Sequence, residues 1–336
     1  MQKVEKNGLP LLAVDLGGTK ILATLISAEG KILARKKTLT LANAGAQPVI
    51  NRMLTTIDQL LSQENISPSR LDSISIAAAG TIDMDSGVVT LSPQIPGWRN
   101  IPLRDIVQKK YGIPTFLIND ASAAALSEHR LGAGKGINNL IYITLSTGIG
   151  GGIIIDDKLY LGANGGAGEL GHITIDANGA RCTCGNIGCW QMLASGTAVA
   201  DEAARRIGQG EGSSLCENTD GMMGKITAEK VEMAARGGDS LAREVISRAA
   251  IHLGVGMVNL IHLFNPAMII VGGGMSKMSD LLLQPAREVI RERAHRLSAQ
   301  AVQIVTSQLG ADAGVLGAAV FARQQGNGHG GHHEGS

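Results

Sequence analysis

Three features of this chain predict an α/β fold built from two similar halves. Short apolar runs that read as strands alternate with helix-length segments, the pattern of sheets covered by helices. Two stretches, AVDLGGTKILATLI at 13–26 and ITLSTGIGGGIIID at 143–156, share one order: strand, Gly turn with Thr, strand. That echo is expected of a duplicated domain with a cleft between its copies. The chain has 336 residues, 44% of them hydrophobic, with a net charge of +1. Such a length supports two sizeable cores, and the composition excludes disorder for the bulk of the chain. The charge balance also lacks the basic surplus of a broad nucleic-acid binder. With 45 Gly and only 2% aromatic residues, the chain favours tight turns and backbone-lined sites over aromatic stacking platforms.

The elements follow in order. Strands are expected at 11–16, 20–27 and 31–40, an antiparallel meander with a turn at Glu29-Gly30. A helix over 47–63 precedes a strand at 71–80. Pro93, Pro96, Gly97 and Pro102 mark a long loop around SPQIPGW. A helix at 102–111 leads into PTFLIND, a strand ending at Asn119-Asp120. The second half opens with strand, Gly-rich turn and strand over 138–160, then Gly-rich and Cys-rich loops over 162–190. Helices are expected at 191–207, 226–236 and 239–263, a buried strand at 267–274, a helix at 280–296, a strand at VQIVTSQ and a last helix at GVLGAAVFAR. This organisation predicts a small domain of 1–119 plus 313–325, a large domain of 120–312 and a disordered tail at 326–336. In that tail, His329, His332 and His333 offer at most weak metal binding.

Residues 1–10 are polar, so no secretory signal is read there, and no apolar run reaches the roughly 18 to 20 residues of a membrane span. The expectation is a cytoplasmic protein with no membrane and no nucleic-acid partner, whose four Cys are reduced thiols.

Chemistry is concentrated in a few motifs. In DLGGTK, Asp15 to Lys20, Gly17 and Gly18 let backbone N–H groups approach phosphate oxygens and Thr19 adds a hydroxyl. Asp15 suits a hydrated Mg²⁺. A plain hairpin turn is the competing reading. STGIGGG (Ser146 to Gly152, with Thr147 and Gly148 at its turn) and VGGG (with Gly273 and Gly274) repeat the pattern. Three such turns, each after a β-like run, fit a nucleotide in a cleft, the first two at its phosphates and the third at its adenosine end. Neither a Walker A loop nor a clean GxGxxG helix opening is present. In NDASAAA, Asp120 reads either as a helix N-cap or as a general base taking the proton of a hydroxyl that attacks a γ-phosphate, with Asn119 on a neighbouring hydroxyl. In GGAGELGH, Glu169 suits a polyol, or is a solvated loop acid.

His172, Cys182, Cys184 and Cys189 form a ligand set for tetrahedral Zn²⁺ with S₃N coordination. Four protein ligands leave no open position, so the metal is expected to be structural, stapling the loop that carries Glu169 and His172. No redox CxxC is present, and Cys216 stands apart as a free thiol.

Taken together, AVDLGGTK, SPQIPGW, INDASAAALSE, LSTGIGGG, GGAGELGHITIDANGARCTCGNIGCWQ, IIVGGG and DAGVLGAA occur in the order that resembles the ROK family of sugar kinases and sugar-responsive repressors, across about residues 11 to 322. The combination of GExGH with CxCGxxGC is its most specific part. The resemblance implies two actin-like (ribonuclease H-like) domains with an interdomain cleft and a zinc-stapled loop, a homodimer through the larger domain, and ATP-dependent phosphorylation of a hexose at its 6-hydroxyl. It implies Asp120 as the base, sugar contacts from Gly80, Asn119, Glu169 and His172, and zinc ligation by His172 with the three Cys. Ala79 stands where Pro is common. Gln191 is the clearest departure, since kinases of this family usually carry Glu there, on sugar hydroxyls near the anomeric end. Gln keeps an acceptor, loses the charge and gains an NH₂ donor, which is expected to weaken glucose binding by about 1 kcal/mol or to move preference to another sugar. Glucose kinase activity is the leading expectation; a kinase for another hexose such as N-acetylmannosamine, mannose or fructose, and a non-catalytic sugar sensor, are the alternatives. Family repressors carry a helix-turn-helix ahead of this region, and the ten residues before Leu11 are expected to hold none.

Overall fold

The computed structural model describes residues 8–216 and 226–328; most of the expected tail, with its three His, lies outside the described residues. Two five-stranded sheets dominate, and they share one topology. In the first, β1 (Leu11–Leu16), β2 (Lys20–Ile26) and β3 (Ile32–Leu39) form the antiparallel meander, and β4 (Ile74–Ala78) and β8 (Thr115–Asn119) add on in parallel, in the order β3-β2-β1-β4-β8. In the second, β9 (Leu140–Leu145) and β10 (Ile149–Ile155) form the hairpin, with β11 (Lys158–Leu159) beyond it. There β12 (Met268–Gly272) and β13 (Gln303–Thr306) are the parallel additions, in the order β11-β10-β9-β12-β13. The weak echo between halves is therefore a repeat of strand order and strand direction.

Helices make three layers around the sheets. Helices α1 (Ala46–Gln63) and α2 (Leu103–Tyr111) cover the outer face of the first sheet, where Val49, Met53, Ile57 and Val107 join Leu12, Val14 and Ile76 in one core. Five helices cover the outer face of the second: α4 (Gln191–Ala194), α5 (Gly196–Gly208), α6 (Ala228–Arg236), α7 (Ser240–Phe264) and α8 (Ser279–Arg293). Between the sheets lie α3 (Asp120–Leu131) and α10 (Ala313–Gly328). Each leaves one sheet and packs against the other: α3 follows β8 but lies on β9 and β10, and α10 follows β13 but lies on β1 and β4. A helix walled in on every side must be lined with small residues. Accordingly Ala121, Ala123, Ala124 and Ala125 of α3 are all buried. At the crossing, a Cβ on Gly317 would sit 1.8 Å from the Ala123 carbonyl oxygen, so only Gly allows the two helices to approach.

Several elements depart from the expected order. A third sheet of three short strands, β5 (Thr81–Asp83), β6 (Val88–Leu91) and β7 (Arg99–Ile101), occupies the region read as loop. The helix expected over 191–207 breaks at Ser195, which is extended and caps α5 by accepting from the Ala198 N–H at 3.2 Å. A short helix, α9 (Arg296–Ala301), follows α8, and α10 runs on to Gly328, past the expected start of the tail. Helix α7 is long and apolar enough to cross a membrane by composition, with a mean hydropathy of 1.3. Its Leu241, Val245, Leu253, Met257 and Leu260 are instead buried in the core of the second half.

Candidate active site

The duplicated topology sets two hairpin tips on one cleft. Residues 17–19 join β1 to β2 and residues 146–148 join β9 to β10. Both tips line a cavity of about 1210 Å³, which also reaches Asp15, Lys20, Gly80, Asn119, Asp120, Glu169, His172, Gln191 and Gly273. Gly274 is the one nucleotide-side residue named from the sequence that the cavity wall does not include. Hairpin turn and cleft-lining loop are thus the same object in DLGGTK. The tip is held from behind by the end of β3, where Thr40 Oγ1 donates to the Gly17 carbonyl at 2.7 Å and the Thr40 N–H to the Thr19 carbonyl at 2.9 Å. The second tip is held by the start of α5, whose Gly196 N–H donates to the Ser146 carbonyl at 2.7 Å.

Only Ser146 to Gly148 of STGIGGG form that turn. Gly150, Gly151 and Gly152 lie within β10 and serve packing: a Cβ on Gly152 would come within 2.4 Å of Ala125 Cβ, and one on Gly151 within 2.2 Å of Leu170. Gly273, at φ 86°, packs its backbone against Leu145, where a Cβ would lie 2.3 Å from the carbonyl oxygen.

The α3 N-terminus separates two roles the sequence left open. Asn119 is the N-cap: its Oδ1 accepts from the Ala121 N–H at 2.9 Å and the Ser122 N–H at 3.0 Å, and its Nδ2 donates to the Gly80 carbonyl at 3.0 Å. Asp120 is therefore not the cap but the first helical residue, with its carboxylate at the cleft floor and Oδ1 accepting from the Ala121 N–H at 2.9 Å. Burial, with the charges of Asp15 and Glu169 nearby, pushes the Asp120 pKa up to about 7, against the pull of the Ala121 N–H. Burial likewise raises that of Asp15, opposed by Lys20, whose Nζ is 3.8 Å away. Gly80 has φ 118°, and a Cβ there would meet the Leu91 carbonyl at 2.3 Å, so the turn that meets Asn119 requires Gly.

Beside the cleft, the ligand atoms of His172, Cys182, Cys184 and Cys189 all lie within 4.8 Å of one another. His172 Nδ1 is 3.7 Å from Cys182 Sγ, and Cys184 Sγ is 3.6 Å from Cys189 Sγ. Tetrahedral zinc with ordinary bond lengths sets neighbouring ligand atoms roughly 3.5–3.8 Å apart, so these residues fit that metal. His172 turns its other nitrogen, Nε2, toward Glu169, 3.9 Å away. One imidazole thus faces both the sulfur cluster and the cleft. The Gln191 amide lies between the same two regions. Its Nε2 donates to Cys182 Sγ at 3.5 Å, and its Oε1 lies 3.1 Å from where a Cβ on Gly148 would be. A Glu has no such donor, so the Gln at this position turns a cleft-lining side chain partly toward sulfur. Burial opposes ionisation of Cys182, but hydrogen bonds from Cys184 and Gln191 outweigh it and hold the thiol below its usual value.

Gln94 was not singled out by the sequence, yet it lies in the cleft. Its Oε1 accepts from the Gly18 N–H at 3.1 Å. The SPQIPGW motif marked the loop, but no periodicity says which of its side chains reaches residue 18.

The model of the ROK family matches residues 11–325. A glucokinase of Thermotoga maritima is 37% identical over 317 residues, 94% of this chain and 98% of that protein. A xylose repressor of Caldicellulosiruptor bescii is 33% identical over 94% of this chain and 78% of its own length. Among solved structures, a ROK family glucokinase from Streptomyces griseus in complex with glucose and AMPPNP superposes with a TM-score of 0.78. It is 37% identical, covering 94% of this chain and 99% of that one.

Proposed function

Because this chain belongs to the ROK family, we propose that it is an ATP-dependent hexose kinase that phosphorylates glucose at the 6-hydroxyl. The observation that carries the reading is Asp120. A carboxylate with its pKa near 7, at the floor of a cleft, is matched to taking a proton at neutral pH. It would accept the proton of the 6-hydroxyl as that oxygen attacks the γ-phosphorus in line. Glucose bound to the S. griseus relative supports the substrate class, and its AMPPNP supports ATP as the donor.

The remaining residues divide by side of the cleft. Gly17, Gly18, Thr19, Thr147 and Gly148, which line the cleft from the two hairpin tips, would meet the phosphates, with Lys20 beside them. Gly273 and Gly274 form the turn at the adenosine end. Gly80, the free amide hydrogen of Asn119, Glu169, His172 Nε2 and Gln191 face the sugar. Asp15 would hold the hydrated Mg²⁺, since its buried carboxylate beside the tip gains from a cation. When bound, that ion neutralises phosphate charge and so lowers the barrier to transfer. His172, Cys182, Cys184 and Cys189 would hold zinc as a structural centre.

A coupled ADP-release assay with Mg-ATP across glucose, mannose, fructose, N-acetylglucosamine and N-acetylmannosamine tests the proposal. Glucose turnover is expected, and Asp120→Asn should keep sugar binding while losing at least about 100-fold in kcat. The repressor relative keeps a second reading in play, a sugar sensor on the same fold. Sugar binding by thermal shift with no turnover on any hexose would establish it and refute the kinase.

A further inference from the structure

We infer that Gln94 is a latch on the donor-phosphate loop: its side-chain carbonyl holds the Gly18 N–H that an incoming phosphate must take. This rests on the kinase reading above. The contact is more than one hydrogen bond. A Cβ on Gly18 would meet Gln94 Oε1 at 2.5 Å, Cβ at 3.0 Å and Cδ at 3.3 Å, so the whole side chain lies across the tip.

The loop that carries it is firmly based. Ile95 and Trp98 are buried at 3% and 2% exposure. The Ile95 N–H donates to the Ser92 carbonyl, the Trp98 N–H to the Ile95 carbonyl and the Ser92 N–H to the Trp98 carbonyl. The same loop begins at Leu91 and Ser92, which pack against Gly80 on the sugar side. Gln94 is exposed between these anchors. A fixed loop thus spans the sugar-side turn and the phosphate tip, with one polar side chain bridging to the tip.

Nucleotide binding then becomes an exchange. The bond from the Gly18 N–H to the amide oxygen breaks, and one from the same N–H to a phosphate oxygen forms. A charged acceptor makes the stronger bond, so the phosphate wins, but only after displacing a neutral one. Gln94 is accordingly a positioning residue that sets donor affinity, acting through Gly18 and not on the sugar.

Titration of the full chain with Mg-AMPPNP, alongside glucose titration, tests this with three variants. Gln94→Ala and Gln94→Met both remove the acceptor, and Met keeps the bulk; each should bind AMPPNP about 2- to 10-fold more tightly. Gln94→Glu keeps the acceptor and adds a negative charge facing the phosphates; it should bind at least about 10-fold more weakly. Glucose affinity should stay within about twofold throughout. Loss of affinity in all three, or no change in Gln94→Met, would overturn the latch while leaving the kinase intact. A wild-type chain that binds no AMPPNP overturns both.

Discussion

Asp120 shows how one residue trades stability for chemistry. Its folded pKa stands near 7 against an ordinary 3.8, chiefly from burial and then from Asp15. A carboxyl with a raised folded pKa releases its proton less readily in the fold than in the unfolded chain, so ionising it costs stability. That cost is absent below about pH 4, grows between pH 4 and 7 and is complete above 7. Asp120→Asn should therefore raise the stability of the ligand-free protein at pH 8 by an amount on the order of 2–4 kcal/mol, and change it little at pH 4. Denaturant melts at both pH values check this, and an unchanged or lowered stability at pH 8 would contradict it. As the proposed base, the same group should set the activity profile. The base must be ionised, so kcat/KM for glucose should fall tenfold per pH unit below about 7 and level off above it. In Asp120→Asn the residual rate should lose this limb.

At the scale of elements, what was legible in the sequence is what has strong periodicity. The meander, the long helices and the parallel strands all carry runs long enough to read. The three-stranded sheet was not legible, because its strands are three or four residues long and sit among Pro and Gly. Nor was the break at Ser195, where the helical pattern continues on both sides of the cap. At α3 the sequence left Asp120 as either cap or base; only the geometry of Asn119 on three partners gives the cap to Asn119. The Cys-rich loop was legible as a ligand set because its chemistry is local. Between His172 and Cys189 it has two isolated bridges, Thr174 with Cys189 and Arg181 with Ile187, and most of its residues are exposed. Apart from Ile173 and Ile175, which pack on the core, its apolar burial is small, so a bound metal would add much of its order. Cys184→Ser, or prolonged chelation with zinc release followed by a colorimetric dye, should lower the melting temperature. It should also raise the glucose KM about 10-fold or more, through Glu169 and His172. Mg-AMPPNP affinity should change less than the glucose KM, since the tip from Asp15 to Lys20 belongs to the other sheet and only the second tip and Gly273-Gly274 share a half with the loop. Full activity and an unchanged melt after metal removal would rule out a structural zinc.

The whole molecule is joined by its exchanged middle layer. Because α3 and α10 each leave one sheet to pack on the other, neither half closes its core alone. The two crossings are tied by the buried Glu128 of α3, which accepts from Ser307 Oγ at 2.5 Å, the Leu309 N–H at 2.8 Å and the Ala133 N–H at 2.9 Å. The same helices carry the chemistry. Asp120 opens α3, and Gly314, in the first turn of α10, makes room for Asp15, whose carboxylate would lie 3.2–3.4 Å from a Cβ there. A shift of α3 against α10 would therefore move the proposed base relative to the helix that packs beside the proposed metal-binding acid of β1. Gly317→Ala tests this directly. Its methyl would lie 1.8 Å from the Ala123 backbone oxygen, which no rotamer can relieve, so one helix must move. Overpacking of this kind costs about 1–3 kcal/mol or more. Because the displaced partner is the backbone that follows Asp120, kcat should fall along with stability. Gly326→Ala, in the same helix with nothing within 4 Å of its Cβ, is the control. It should stabilise by up to about 1 kcal/mol from helix propensity and leave kcat unchanged. Melts and turnover of the pair separate the crossing from a general effect of removing Gly from α10: equal behaviour in the two variants would mean that the close approach at Gly317 does not hold the halves in register.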